Sequence, residues 1–307
     1  MVPQPFRLLL RYHQKVSLSG IKSKQDKLVI VFGSGTGIGH YLLHRGLNEG
    51  YPIVGVSRYL REKCRMKDSD TTCEIFNLNS NTSPENFYFI GDLYSDVDRS
   101  NFISFLEKKS AQMHETHAII CVGGVKTIDK FENTNKSDIL EDFQLNILTP
   151  MLIVRDLFKF IPIMQKTTIT ILGGSGENPY PYRIPYASAK SGLARFVESI
   201  AEEWKNLNVL INLALPGPVN TELFDFLLLS KLKQLDSNIS NELDAQKLNG
   251  GVPVSCVGDL IYNFLIPQNT ALSGKSISAR FDPWAYWSEN KPSLDKNALT
   301  FRRVNPL

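Results

Sequence analysis

Short apolar runs rich in β-branched residues recur along this chain, each followed by a stretch with helical spacing. They cover residues 27–32, 52–57, 87–90, 117–122, 168–172 and 208–215, with 275–279 as a seventh. Continuous rather than alternating apolar runs suit strands covered on both faces, as in a parallel sheet. Helical stretches fall between them at about 37–49, 99–113, 138–162, 186–206 and 256–266. The alternation predicts an α/β fold: a doubly wound parallel sheet of about seven strands with helices on both faces.

The 307 residues exceed what one average domain needs. No linker interrupts the middle, however, and α/β sheets run to about 250 residues as one unit. The expected organisation is a basic N-terminal arm over 1–26, one domain over 27–288 and a tail over 289–307. Two segments break the rhythm. Residues 60–85 are polar and lengthen one connection, and 218–255 form a long insertion after the sixth strand, a candidate substrate lid.

Composition removes several function classes. A net charge of +3 and scattered basic residues give no footprint for nucleic acid. No stretch reaches the roughly 18 consecutive apolar residues of a membrane span. Cysteines 64, 73, 121 and 256 form no Cys-x-x-Cys pair and read as reduced thiols. The five histidines make no metal-ligand spacing, and the i,i+4 pair His40 and His44 reads as helix surface. No metal is expected, and the compartment expected is the cytoplasm. The first 25 residues carry Arg7, Arg11, Lys15, Lys22 and Lys24 and no acid. That composition suits an organelle transit peptide or a simple basic arm, and the sequence leaves both open.

Two constellations carry chemistry. Gly33-Ser34-Gly35-Thr36-Gly37-Ile38-Gly39 follows the first strand directly and opens a helix. Missing side chains there let the backbone approach a pyrophosphate at the positive helix end. Farther on, Tyr186 and Lys190 stand four apart, on one face of a helix. A phenol ordinarily holds its proton up to a pKa of about 10. The ammonium beside it is expected to favour the phenolate, making Tyr186 a usable acid or base.

The Gly-x3-Gly-x-Gly spacing, with Tyr-x3-Lys about 150 residues later, resembles the short-chain dehydrogenase/reductase family, and landmarks continue in order from 27 to about 283. The resemblance implies a Rossmann-type fold that binds a nicotinamide dinucleotide through the glycine loop. By that resemblance Asp92, in Gly-Asp-Leu with Leu93, holds the adenine amine. Gly123 and Gly124 keep the backbone close to the cofactor, and Pro216, Gly217, Val219 and Thr221 match the PGxxxT stretch that contacts the nicotinamide amide. The implied catalytic set is Asn146, Ser175, Tyr186 and Lys190. Tyr186 is the acid/base, Lys190 lowers its pKa and holds the nicotinamide ribose, Ser175 steadies the developing alkoxide, and Asn146 positions a water. Cys121-Val122-Gly123-Gly124 departs from the family's Asn-Asn-Ala-Gly, and Ser175 and Tyr186 stand about two residues closer than usual, in a loop stiffened by Pro179, Pro181 and Pro185.

An acid at the end of the second strand would bind the ribose 2′-hydroxyl and mark NAD. Here Ser57-Arg58 stands there, with Arg61 and Lys63 following. A guanidinium pairs with a 2′-phosphate, so the sequence favours NADP(H) over NAD(H). The expected function is an NAD(P)-dependent oxidoreductase interconverting a small-molecule carbonyl and a secondary alcohol. A redox-sensing cofactor binder and a sugar-nucleotide epimerase or dehydratase are the alternatives. A homodimer or homotetramer is implied through the helices near 138–162 and 186–206. Leu223, Phe224, Phe226, Phe281, Trp284, Tyr286 and Trp287 line a pocket, cover a core or meet a neighbouring subunit.

Overall fold

The protein is described here from a computed structural model, over residues 24–58, 86–109, 115–158, 166–174, 179–267, 271–290 and 297–300. Ser175, Cys64, Cys73, Arg61, Lys63, the polar segment 60–85 and nearly all of the basic arm lie outside them.

Seven strands form one sheet: β1 (Lys27–Phe32), β2 (Ile53–Ser57), β3 (Phe87–Ile90), β4 (Glu115–Ile120), β5 (Lys166–Leu172), β6 (Val209–Leu215) and β7 (Ser276–Ser278). Their order is β3-β2-β1-β4-β5-β6-β7, and every pairing is parallel. Parallel neighbours need crossovers, so helices cover both faces. On one face Leu28, Ile30 and Phe32 of β1 pack with Phe102, Ile153 and Leu193. On the other, Val29 and Val31 pack with Leu42, Val257 and Leu260. Burial on two faces is why the strands read as unbroken apolar runs. The order reverses between β1 and β4, which opens a crevice at their carboxyl ends.

The helices are α1 (Gly37–Asn48), α2 (Asp96–Lys109), α3 (Lys136–Phe143), α4 (Thr149–Leu157), α5 (Ile184–Glu203), α6 (Glu222–Leu229), α7 (Leu232–Leu235), α8 (Ser237–Asn249), α9 (Val254–Asp259) and α10 (Trp284–Asn290). The single helix expected over 138–162 is instead α3 and α4 joined by a π-turn, Gln144–Leu148. Pro150 lacks the N–H that would bond the carbonyl of Asn146 four residues earlier, so the regular ladder cannot run through this point. A second π-turn, Leu260–Leu265, extends α9.

The insertion 218–255 folds as α6, α7 and α8. Phe224, Leu232 and Leu243 are buried there with Val125 and Ile128, and Tyr182 and Tyr186 pack against them. Phe224 therefore covers an apolar cluster, whereas Leu229 and Phe226 stay exposed. Trp284 and Trp287 pack on Phe264 beneath the other face of the sheet. Helix α10 crosses the boundary expected at 288, and beyond it Leu299 accepts a hydrogen bond from the Ser276 amide on the edge strand (2.9 Å). No helix among the described residues is long and apolar enough to cross a membrane.

Candidate active site

The glycine loop has the shape its residues allow. Gly33 sits at φ 77°, and a side chain there would meet the Cys121 carbonyl oxygen at 2.6 Å. Gly39 crosses Gly33 so closely that an added Cβ would lie 2.2 Å from the Gly33 oxygen. Thr36 caps α1 with its backbone alone, and the first turn carries no acid. The leading N–H groups of α1 are therefore donors without intrahelical partners at the positive end of the helix. A dinucleotide pyrophosphate fits such a cradle. Thr221 comes to the same loop: its Cβ and Cγ2 lie 3.6 Å from the position of a side chain on Gly37. Its hydroxyl makes no cap bond to α6. Gly217, at φ 73°, turns the chain between Pro216 and Val219.

Around the adenosine end, Ser34 and Ser57 are buried and share the hydroxyl of Tyr88, at 3.3 and 2.7 Å. Tyr88, on β3, was not singled out from the sequence, where it stands between two phenylalanines in an apolar run. Arg58 follows Ser57 and is exposed. Asp92 is exposed beside buried Leu93 and accepts from the Tyr94 amide (3.0 Å). Buried Arg99 holds this turn from beneath, donating to the carbonyls of Leu93 (2.9 Å) and Tyr94 (2.7 Å) and pairing with Asp96 and Asp156. Its signal in the sequence was only a charge inside a helix.

Tyr186 and Lys190 rise from the first turns of α5, with Pro185 pre-set for the helix start. The end of β5 abuts them, since a side chain on Gly174 would lie 2.8 Å from the Tyr186 hydroxyl and 3.2 Å from Lys190 Cγ. Lys190 is buried, and its Nζ donates to the Leu172 carbonyl (3.2 Å). Burial pushes the Tyr186 phenol up to about 12, reinforced by Tyr180 and only partly opposed by Arg183. The Lys190 ammonium stands 6.0 Å from the ring centre and is itself pushed down to about 8 by burial. At neutral pH the phenol therefore carries its proton.

Asn146 sits in the π-turn, fully buried. Its Oδ1 accepts from the Gly124 amide (3.0 Å), and its Nδ2 donates to the carbonyls of Gly124 (2.7 Å) and Asp142 (2.9 Å). A Cβ on Gly123 would lie 2.9 Å from Lys190 Nζ and 3.1 Å from Asn146 Oδ1, so a side chain there would need the flexible end of the lysine to shift. The departure at 121–124 thus keeps the backbone in place while making room for the ammonium. Cys121 is half-buried behind it, its thiol pushed well above the ordinary range by desolvation. The surface reading of His40 is corrected: it is buried, turned back to the Ser34 backbone and stacked on His44 at 4.4 Å. No group of ligands suited to a metal occurs among the described residues.

A family model described as short chain dehydrogenase matches residues 27–228. The chain belongs to the short-chain dehydrogenase/reductase family. Among curated short-chain relatives, a 3-oxoacyl-[acyl-carrier-protein] reductase from Bos taurus is 22% identical over 77% of this chain and 87% of its own. A benzil reductase from Bacillus cereus is 25% identical over 64% and 77%. A solved short-chain dehydrogenase/reductase from Saccharomyces cerevisiae superposes with a TM-score of 0.67 at 16% identity, over 84% of this chain and 97% of that one, which shows the shared fold. As a short-chain dehydrogenase/reductase, the protein is an NAD(P)(H)-dependent oxidoreductase.

Proposed function

We propose that the protein is an NADP(H)-dependent reductase in which Tyr186 donates a proton to a substrate carbonyl. The observation that carries this reading is the Tyr186–Lys190 pair, a protonated, partly buried phenol beside a buried ammonium at the end of β5. The dinucleotide, when bound, supplies the hydride. As negative charge grows on the carbonyl oxygen, the Tyr186 proton moves to it, and the Lys190 ammonium stabilises the phenolate left behind. Lys190 also holds the nicotinamide ribose. Ser175, by its order in the chain, steadies the oxygen.

Asn146 acts through position. Both N–H protons of its side chain are used within the protein, so the side-chain acceptor left for a water beside Lys190 is a lone pair on Oδ1. The glycine loop, Asp92, Leu93, Gly123, Gly124, Pro216, Gly217, Val219 and Thr221 form the cofactor cradle. Ser57 with Arg58 at the end of β2 favours a 2′-phosphate, since no carboxylate stands there to repel it. Helices α6–α8 serve as the substrate lid, since their apolar cluster includes the Tyr186 ring. Exposed Leu140, Phe143, Leu148 and Met151 along α3 and α4 support a homo-oligomer through that face.

Consumption of NADPH against a panel of ketones and aldehydes tests the reading. Tyr186→Phe should lower turnover by about 10²- to 10⁴-fold, while NADPH binding, followed by fluorescence, survives. Undiminished turnover in that variant overturns it.

A further inference from the structure

Helix α5 begins next to a cation that has no acidic partner among the described residues. Arg183 is the residue just before α5, three before Tyr186 and so on the same face of that helix start. It is half-buried, and its Nε is enclosed without a hydrogen-bond acceptor. Its guanidinium lies over the Tyr180 ring, 4.4 Å from the ring centre, and that ring stands 6.5 Å from the ring of Tyr186. No carboxylate among the described residues pairs with it. Glu242, on α8 of the insertion, is the only acid whose charge acts on it, and the two form no ion pair. Arg183 thus stands between the catalytic phenol and the insertion that covers it.

A guanidinium withdrawn from water and left unpaired is costly, and at the start of a helix it also faces the positive end of the helix dipole. Tyr180 offsets part of that cost through its ring face. An oxyanion, with two acceptor atoms matching the planar fork, would offset more.

We propose that Arg183 forms an anion subsite in the substrate cleft, so that the physiological carbonyl substrate also carries an oxyanion group, a carboxylate or a phosphate. This rests on the reductase reading of Tyr186 and adds the substrate class. We assign the cation to the substrate because it adjoins Tyr186 through the Tyr180 ring. Tyr180 packs its ring face on the guanidinium.

The test compares 4-acetylbenzoate, its neutral isostere 4-acetylbenzamide and 4-acetylphenyl phosphate, with NADPH. The parent protein should favour an anionic ketone over the amide in kcat/KM by about 10- to 100-fold, the range of a charge-assisted hydrogen bond. Whichever anion gains more names the group. Arg183→Gln should collapse that ratio, and Arg183→Lys should recover part of it. The same compounds are titrated against the cofactor-free chain by thermal melting. The anions should raise the midpoint of the parent more than the amide does, and Arg183→Gln should abolish the difference. An unchanged ratio or an unchanged midpoint difference in Arg183→Gln overturns the subsite. So does an equal loss with acid and amide in both Arg183→Gln and Glu242→Gln, which would make Arg183 a clasp for the insertion. Parent-like turnover in Tyr186→Phe would instead remove the reductase reading, and the melting comparison would still decide the subsite.

Discussion

Asp142 and Asn146 stand one turn apart and grip the same loop by its backbone. Asp142 accepts from the amides of Lys126 (3.0 Å) and Thr127 (2.8 Å), and Asn146 takes both the amide and the carbonyl of Gly124. The stretch after β4 that passes the catalytic lysine is held by two side chains from one helix. Asp142→Ala leaves two donors without their acceptor, at a cost of about 2–4 kcal/mol. Urea denaturation should show that loss, together with reduced turnover. An unchanged midpoint would mean that water replaces the carboxylate.

Gly39 tests the cradle. A methyl group at this position would lie 2.2 Å from the Gly33 oxygen, and backbone cannot yield as a flexible side chain does. Gly39→Ala should weaken NADPH binding at least tenfold, measured by fluorescence titration. A parallel Gly50→Ala control meets no atom within 4 Å, but its φ of 79° makes it a strained position, so it reports backbone strain without loop contact.

Lys190 gives a pH signature. Its folded pKa, about 8, lies below the ordinary 10.5, so the unfolded chain binds the proton more tightly and stability rises with pH between those values. The buried charge costs roughly 3 kcal/mol at neutral pH. Tyr186 runs the other way, because its folded value is raised from 10.0 to about 12 and stability falls across that window. Lys190→Met should melt at or above the parent at pH 7, lose the rise above pH 8 and be inactive. Carbonyl reduction by the parent should decline as the pair titrates near pH 8. A rate that climbs through pH 8 would contradict the role given to the ammonium.

Arg58 bears on the cofactor. Arg58→Ala should raise the KM for NADPH about tenfold and leave that for NADH nearly unchanged, while Ser57→Asp should reverse the preference. Equal effects on both cofactors would detach Arg58 from the 2′-phosphate.

Much of this was legible because its cause is local. Strand β1 falls where its apolar run lies, since residues covered on both faces are apolar at every position, and β3 matches its run although, at the sheet edge, its residues are only partly buried and Ile90 is exposed. Strand β4 begins two residues earlier than its apolar run, at Glu115. That carboxylate is buried, lies 3.5 Å from Lys27 and is held near pKa 2 by His117 and the neighbouring lysines. Polar residues buried in pairs carry no apolar signal. Helix spacing likewise put Tyr186 and Lys190 on one face without saying where the ammonium points. Its head turns to the Leu172 carbonyl, while burial raises the phenol.

By itself the sequence determined the order of strands and helices, the glycine turn and the Tyr-x3-Lys pair, because each depends on residues a few positions apart. Tertiary structure decided the rest. Tyr88 joins Ser34 to Ser57, Arg99 supports the Asp92 turn, Gly123 lies against Lys190, and Arg183 pairs with no acid among the described residues. Those relationships join segments far apart in the chain, Gly123 and Lys190 among them, and burial, which sets the charge states of Tyr186 and Lys190, exists only once the chain has closed around them.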